Sequence, residues 1–367
     1  MKKSLFLALA MLSLMGCNPE EKTVSVFNSR AKSRTRELVE VSARQLSFDT
    51  THLGCYALTD AEGNPVPYQV MYYGQSEPQS IVFQADVQGG STAVYHWKKG
   101  TPATAEAKVY ARYIPERKDD FAWENQTAAY RMYGPALADE NPSNGVDLWL
   151  KCTDELVVDS FYYREHQLGC SYHINWGKGL DCYKVAHTLG CGGVAPFVND
   201  SLCVLDHYNT WEIIDQGPLR VRFRLTYDDM ALTVTADAGN PFNRAEVVYT
   251  GKEDSLELAA GIYLHDNKGI SNYDIEAGWI AYAEDAVSDA GVPQGRNYVA
   301  VIMPSAYMHQ MDKEHHLLIA PYNKGEVLTY WFAGGWSQWQ YPTDDSWFAL
   351  AAASSNFLTH PLQVTVR

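Results

Sequence analysis

Apolar and polar residues alternate with a period of two along much of the chain. Between positions 219 and 227, Leu219, Val221, Phe223, Leu225 and Tyr227 alternate with Arg220, Arg222, Arg224 and Thr226. Successive side chains of a strand point to opposite faces, so this run predicts a strand with one face in a core and the other in water. Shorter runs of the same kind occupy 23–27, 80–87, 246–250, 298–303, 316–320 and 363–366. Turn-forming stretches separate them: Glu62-Gly63-Asn64-Pro65, Gly89-Gly90, Ala238-Gly239-Asn240-Pro241 and Asn323-Lys324-Gly325. Helical periodicity is scarce. The pattern predicts an all-β protein dominated by a large antiparallel β-sandwich, with helix below about a fifth of the chain.

The chain divides into three parts. Residues 1–17 read as an export signal: Lys2 and Lys3, a short apolar run from Leu5 to Met15, then Gly16-Cys17. The run is shorter than the roughly 20 residues a spanning helix needs. Its end matches a lipobox, which predicts cleavage before Cys17 and lipidation of its thiol. Residues 18–107 form a small β domain with its linker, the small, proline-containing stretch 100–105. Residues 108–367 form a large β domain that carries the polar motifs. The predicted location is the outer membrane, facing the periplasm or the cell surface, on a lipid anchor.

The chain has 29 basic and 44 acidic residues, and loss of Lys2 and Lys3 takes its net charge from −15 to −17. That excludes a general electrostatic footprint for nucleic acid. Besides Cys17, six cysteines remain. They are open to disulfide pairing, with 15 connectivities, or to a role as buried thiols. None forms a C-x-x-C pair, so a structural zinc site is a poor reading. No cofactor is expected, and a metal is left undecided.

One region breaks the strand pattern. RYIPERKDDFAWEN (112–125), RMYGPAL (131–137), YHINWGKGLDCYKV (172–185) and LGCGG (189–193) crowd charged, aromatic and glycine residues together. Such composition suits a concave site for a polar, ring-shaped ligand. These segments, with the closing GGWSQW and HPLQVTV, resemble the bacterial family known as domain of unknown function 4861, over most of the chain. The resemblance implies an exported protein of polysaccharide-degrading bacteria with a galactose-mutarotase-like supersandwich. It also implies dehydratase chemistry on uronic-acid-containing oligosaccharides. The family carries D-H-G-E-G where this chain has Asn175, Trp176, Gly177, Lys178 and Gly179, so a His and a Glu are replaced.

Elimination next to a uronate carboxylate needs a cation for the developing charge, a base and an acid. Arg117 and Arg131 are the expected carboxylate clamps. His173 is the expected base, because imidazole titrates near neutrality. Tyr183 and Lys184 are candidate acids or bases. Glu124, His166 and Asp181 are expected at the substrate, and Trp123, Trp336 and Trp339 are expected to meet sugar rings. The glycines of Gly334-Gly335-Trp336 are read as a sharp loop turn. Hydrolysis would instead need two carboxyl groups across the scissile bond, with Glu124 and Asp181 the better pair. Against that, Asp120 and Glu124 are expected to neutralise Arg117 and Arg131. A mutarotase or epimerase on the same fold, or a non-catalytic surface lipoprotein that binds glycans, would need fewer of these groups.

Overall fold

The computed structural model describes residues 21–48, 53–139 and 143–367. The export signal and Cys17 lie outside the described residues. Among the described residues the fold is all-β and antiparallel, with 49% strand and 9% helix.

The small unit packs two sheets. One runs Gln363–Val366, Lys22–Phe27, Thr92–Lys99, Tyr56–Asp60 and Pro65–Val66, and the other runs Arg34–Ser42, Ser80–Val87 and Tyr68–Met71. Val24, Val26, Val39, Val41, Ile81, Phe83 and Trp97 fill the space between them. The first of these sheets corrects the expected boundary. The last strand, Gln363–Val366, pairs along Lys22–Phe27 and leaves the 108–367 unit. Its alternating valines complete the small core rather than the large one. Polar contacts join the units: the Gln69 side chain accepts from the backbone N–H of Leu219 and Arg220, and Asp215 accepts from those of Tyr72 and Tyr73.

The large unit is built on an eight-stranded sheet. Its order is Thr210–Gln216, Arg220–Thr226, Met230–Asp237, Asn243–Tyr249, Leu328–Trp336, Pro293–Ile302, Trp279–Val287 and Ile270–Asp274. The alternating apolar residues from Leu219 to Tyr227 are all buried, as their pattern requires. Two five-stranded sheets share its core. One holds Ser201–Leu202, Cys191–Val198, Ser255–Tyr263, His315–Asn323 and Met308–Met311. The other holds Gly179–Asp181, Asp147–Lys151, Ala128–Met132, Asp120–Glu124 and Tyr110–Ile114.

Two α-helices cover outer faces among the described residues. Helix α1 (Val158–Leu168) places Val158, Phe161 and Tyr162 on the second five-stranded sheet and ends at Gly169 in the left-handed conformation. Helix α2 (Asp344–Thr359) starts at a capping box formed by Thr343 and Ser346. It lays Trp347, Phe348 and Ala351 on Ala281, Ala283, Ala300 and Ala333 of the eight-stranded sheet. Small residues on the sheet let the helix approach. A Cβ at Gly335 would sit 2.8 Å from the Trp347 ring. Gly334 and Gly335 are therefore close-packing positions inside a strand, not the loop turn expected of them. Neither helix is long and apolar enough to cross a membrane.

Candidate active site

The sheet that carries the polar motifs is buried on both faces, and strand parity sorts its side chains. Phe121, Trp123, Ala128, Tyr130, Leu148, Leu150 and Leu180 face the sandwich core. Asp120, Glu124, Arg131, Asp147, Trp149, Lys151 and Asp181 occupy the alternate positions, under α1 and the turn that follows it. Gly179 makes the last pairing possible. Its φ is +133°, and a Cβ there would lie 1.9 Å from the Leu150 carbonyl oxygen.

Arg131 is the centre of one ionic group. Its Nη2 lies 2.6 Å from Asp147 Oδ2 and 3.0 Å from Asp181 Oδ2, and its Nη1 lies 3.6 Å from Asp120 Oδ2. Its guanidinium also lies over the rings of Tyr133, Trp149 and Tyr172. Arg117 approaches the same group from the turn after Tyr110–Ile114, where Lys118 and Asp119 hold left-handed backbones. Tyr172 joins the two arginines: its oxygen accepts from Arg131 Nη1 at 3.0 Å and from Arg117 Nε at 3.3 Å.

Three aspartates thus face two guanidinium groups. Burial pushes the Asp120 carboxyl up to about 6, against the pull of Arg131 and Arg117. Burial and then the Asp147 charge push Asp181 well above the ordinary carboxylate range. The charge count agrees with both directions, since one carboxyl proton brings the group to balance. Burial opposes the charge on Arg131, but its aspartates more than offset that and raise its pKa. Asp120 Oδ1 and Asp147 Oδ1 are buried without a hydrogen-bond partner in the protein.

His173 stands at the mouth of this group, with its side chain 37% exposed. Its Nδ1 lies 2.9 Å from the Asp181 carbonyl oxygen. A carbonyl only accepts, so Nδ1 carries the hydrogen and the neutral ring keeps its lone pair on Nε2. The Asp181 carboxylate is 3.6 Å from the same nitrogen. Asp289, on the tip between strands Trp279–Val287 and Pro293–Ile302, reaches the rim at 3.8 Å from His173 Nδ1 and 3.7 Å from Lys184 Nζ. The Lys184 side chain is largely exposed.

The structure therefore brings Arg117, Arg131, His173 and Asp181 together, with Lys184 at the rim. Other expected residues lie elsewhere. Trp123 points into the core by parity and is fully buried, its Nε1 donating to Asn243. Trp336 is buried and donates to the Gln294 carbonyl, so neither tryptophan is free to meet a sugar. Trp339 is exposed on the turn beyond that strand. Tyr183 is buried against His265, with its pKa raised by desolvation and its hydroxyl unpartnered. Glu124 does not neutralise an arginine. It pairs with Lys151 at 2.7 Å and accepts from the Val157 and Val158 backbone N–H groups at the start of α1. It also lies three strands from Asp181, about 14 Å at the usual spacing, too far to share a scissile bond. His166 lines a separate groove along α1. Asp120 does pair with both arginines.

Sequence reasoning gave no role to Asp147, Tyr172 or Asp289. Tyr172 adjoins His173, and Asp147 sits opposite Arg131 in the sheet register. Asp289 lies in an ordinary hairpin turn with no motif around it. The six described cysteines are free thiols. Among the described residues no cluster of His, Cys, Asp and Glu is arranged to hold a metal.

Residues 26–364, nearly the whole described fold with all these site residues, match one family profile. The chain belongs to that family, Domain of unknown function (DUF4861). "Uncharacterized protein P7" of Formosa agariphila is 30% identical over 392 residues, covering 99% of this chain and 98% of that protein. Among solved structures, the chain is similar to a glycosyl hydrolase family 38 protein from Enterococcus faecalis. The TM-score is 0.52 at 8% identity, with 95% of this chain and 47% of that one covered. An α-mannosidase from Enterococcus faecalis V583 gives a TM-score of 0.49 at 7% identity, covering 95% and 46%. The chain spans about half the length of these two proteins. The first likeness is one of fold.

Proposed function

We propose that the protein is a carbohydrate-active enzyme that breaks a carbon–oxygen bond of an acidic oligosaccharide by β-elimination. The observation that carries this reading is the His173 tautomer. Nδ1 is occupied by the Asp181 carbonyl, which leaves a lone pair on Nε2 at a half-exposed position against Tyr172, the ring whose hydroxyl Arg117 bonds. A base so fixed, one tyrosine away from a guanidinium that can take a carboxylate, is what removal of a proton α to a uronate requires. His173 Nε2 takes that proton, and the C–H electron pair becomes the new carbon–carbon double bond. The β carbon–oxygen bond breaks, and the departing oxygen is protonated by Lys184 on the same rim. Tyr183 has no part, because it is buried away from the rim.

The test is incubation with a panel of uronate-containing oligosaccharides, followed by ultraviolet absorption and mass. Elimination gives an absorbing unsaturated uronate, either with loss of water or with cleavage that adds none. His173→Ala should lower the rate by a factor of about 100 to 10,000 while melting temperature holds. Products that gain water would replace this reading with hydrolysis. Unchanged masses would replace it with isomerisation or binding alone.

The location belongs to the same proposal. A glycan-degrading enzyme on a lipid anchor at Cys17 would meet its substrate at the outer membrane. Cys17→Ser should then move the protein from the membrane fraction to the soluble one, and full retention in the membrane would refute the anchor.

A further inference from the structure

A groove of about 520 Å³ runs along α1, outside the ionic group, and is lined by Arg112, Glu116, Asp159, Tyr162, Tyr163 and His166. That volume lies within the range of about 300–1,000 Å³ usual for small-ligand sites. Tyr162 is the wall between the two places. Its ring lies parallel to the His166 ring on the groove side, and its hydroxyl donates to Asp120 Oδ2 on the other. Tyr163 stands 58% exposed at the groove, an aromatic face with no core to fill.

The charges of the groove differ from those of the cleft. Arg112 is the cation among its lining residues, and it is already taken up. Its Nη2 bonds Glu116, and its Nε lies 3.3 Å from Asp159. Two carboxylates against one guanidinium leave the charge of the groove negative, over a lining that is mostly apolar, with one oxygen of each carboxylate turned to Arg112. An anionic sugar would be repelled there. Hydroxyl groups of a neutral sugar would find carboxylate acceptors, and its ring C–H face would find Tyr163.

We propose that this groove is a subsite for a neutral sugar residue, which extends the glycan away from the acidic residue held at Arg117. The proposal rests on the glycan reading above and adds a selectivity to it: neutral, unsulfated units along α1, an acidic unit at the arginines. Tyr163 supplies the ring platform, and Glu116 and Asp159 supply the acceptors and the exclusion of anions.

Ligand-observed NMR on the full chain separates the two places. The probes are xylobiose, maltose and lactose as neutral ligands, and glucuronate as the acidic one. Tyr163→Ala should weaken the neutral disaccharides about three- to tenfold and leave glucuronate unchanged. Arg117→Ala should do the reverse. Tyr163 is exposed and its loss spares the fold, whereas Arg117 offsets buried Asp120, so Arg117→Lys is run beside Arg117→Ala to keep that charge, and melting temperatures are compared for all three. Neutral disaccharides that fail to bind, or that bind Tyr163→Ala as well as the parent, overturn the subsite. If Tyr163 governs neutral sugars while Arg117→Ala leaves glucuronate untouched, the groove stands and the reading of the cleft fails.

Discussion

Two buried ionic groups share one face of one sheet. Glu124 and Lys151 make a one-to-one pair. Lys151 Nζ bonds both the Glu124 carboxylate and the Asn125 carbonyl, and Glu124 also receives the first N–H groups of α1. A short distance along the same strands, Arg131 and Arg117 face Asp120, Asp147 and Asp181, and two carboxylate oxygens receive no hydrogen bond. Both groups are buried, so burial does not tell them apart. Balance does. The first group is closed and holds a helix in place. The second has a carboxylate in excess, with burial favouring the protonated form of Asp120 and Asp181, and opens at one end on His173. A chemical role fits the unbalanced group, because its protonation can change under physiological conditions.

The comparison can be broken from either side. The largest effect should come from Lys151→Ala, which leaves Glu124 as an unpaired buried charge. Urea denaturation should show a loss of about 3–5 kcal/mol. Replacing both partners, Lys151→Met with Glu124→Leu, should restore much of it, less the α1 contact. A loss below about 1 kcal/mol would mean that the pair is not the closed structural unit described.

Asp120→Asn tests the unbalanced side through pH. Asp120 has a folded pKa of about 6 against an ordinary value of 3.8. Its contribution is therefore full below pH 4 and is lost as pH rises toward 6, because the folded state gives up its proton later than the unfolded one. Removing the ionisable group removes that loss. The stability of the variant relative to the parent should rise by about 2 kcal/mol between pH 4 and pH 6, and by about 3 kcal/mol over the whole titration, roughly two pKa units at about 1.4 kcal/mol each. A flat difference would show that Asp120 is fully ionised by Arg131 and Arg117.

Arg117→Ala should act on substrate more than on stability. Loss of one charged hydrogen-bonding group is worth about 1.5–3 kcal/mol, a rise in KM of roughly ten- to a hundredfold for acidic oligosaccharides. An unchanged KM would take Arg117 out of the clamp. The smallest effect should belong to Lys178→Ala. Its pair with Glu155 is also one-to-one, but exposed, and denaturation should show less than about 1 kcal/mol. A larger cost would mean that exposure had been misjudged as the reason for its weakness.

The strand-rich fold was legible where one face meets water. The arginines from Arg220 to Arg224 are at least partly exposed opposite buried apolar residues, so the alternation is visible in the letters. The sheet under α1 was not legible as strands, because both of its faces are buried. Asp120, Arg131, Asp147 and Lys151 replace the apolar residues expected of such a face, and their charges made the segments read as loops. The same parity explains Trp123. It shares a face with Phe121 and belongs to the core, yet it stands among charges that suggested a binding role. Helix α2 was hidden for another reason. Its run of alanines and serines has weak amphipathic contrast, and Thr343 with Ser346 was the available sign of its start. Asp289 enters the site through tertiary structure alone.

The strand Gln363–Val366 ties one edge of the small unit to a segment delivered much later. It runs beside Lys22–Phe27, although almost the whole chain separates the two. A ribosome or export channel delivers the chain from one end, so Lys22–Phe27 must wait with one hydrogen-bonding edge unsatisfied until Gln363–Val366 arrives. A chain that lacked Gln363–Val366 would keep Arg117, Arg131, His173 and Asp181, yet display that valine-bearing edge to any neighbouring chain. The strand thus works as a seal: a copy that has lost it carries a sticky edge while the polar site is still whole.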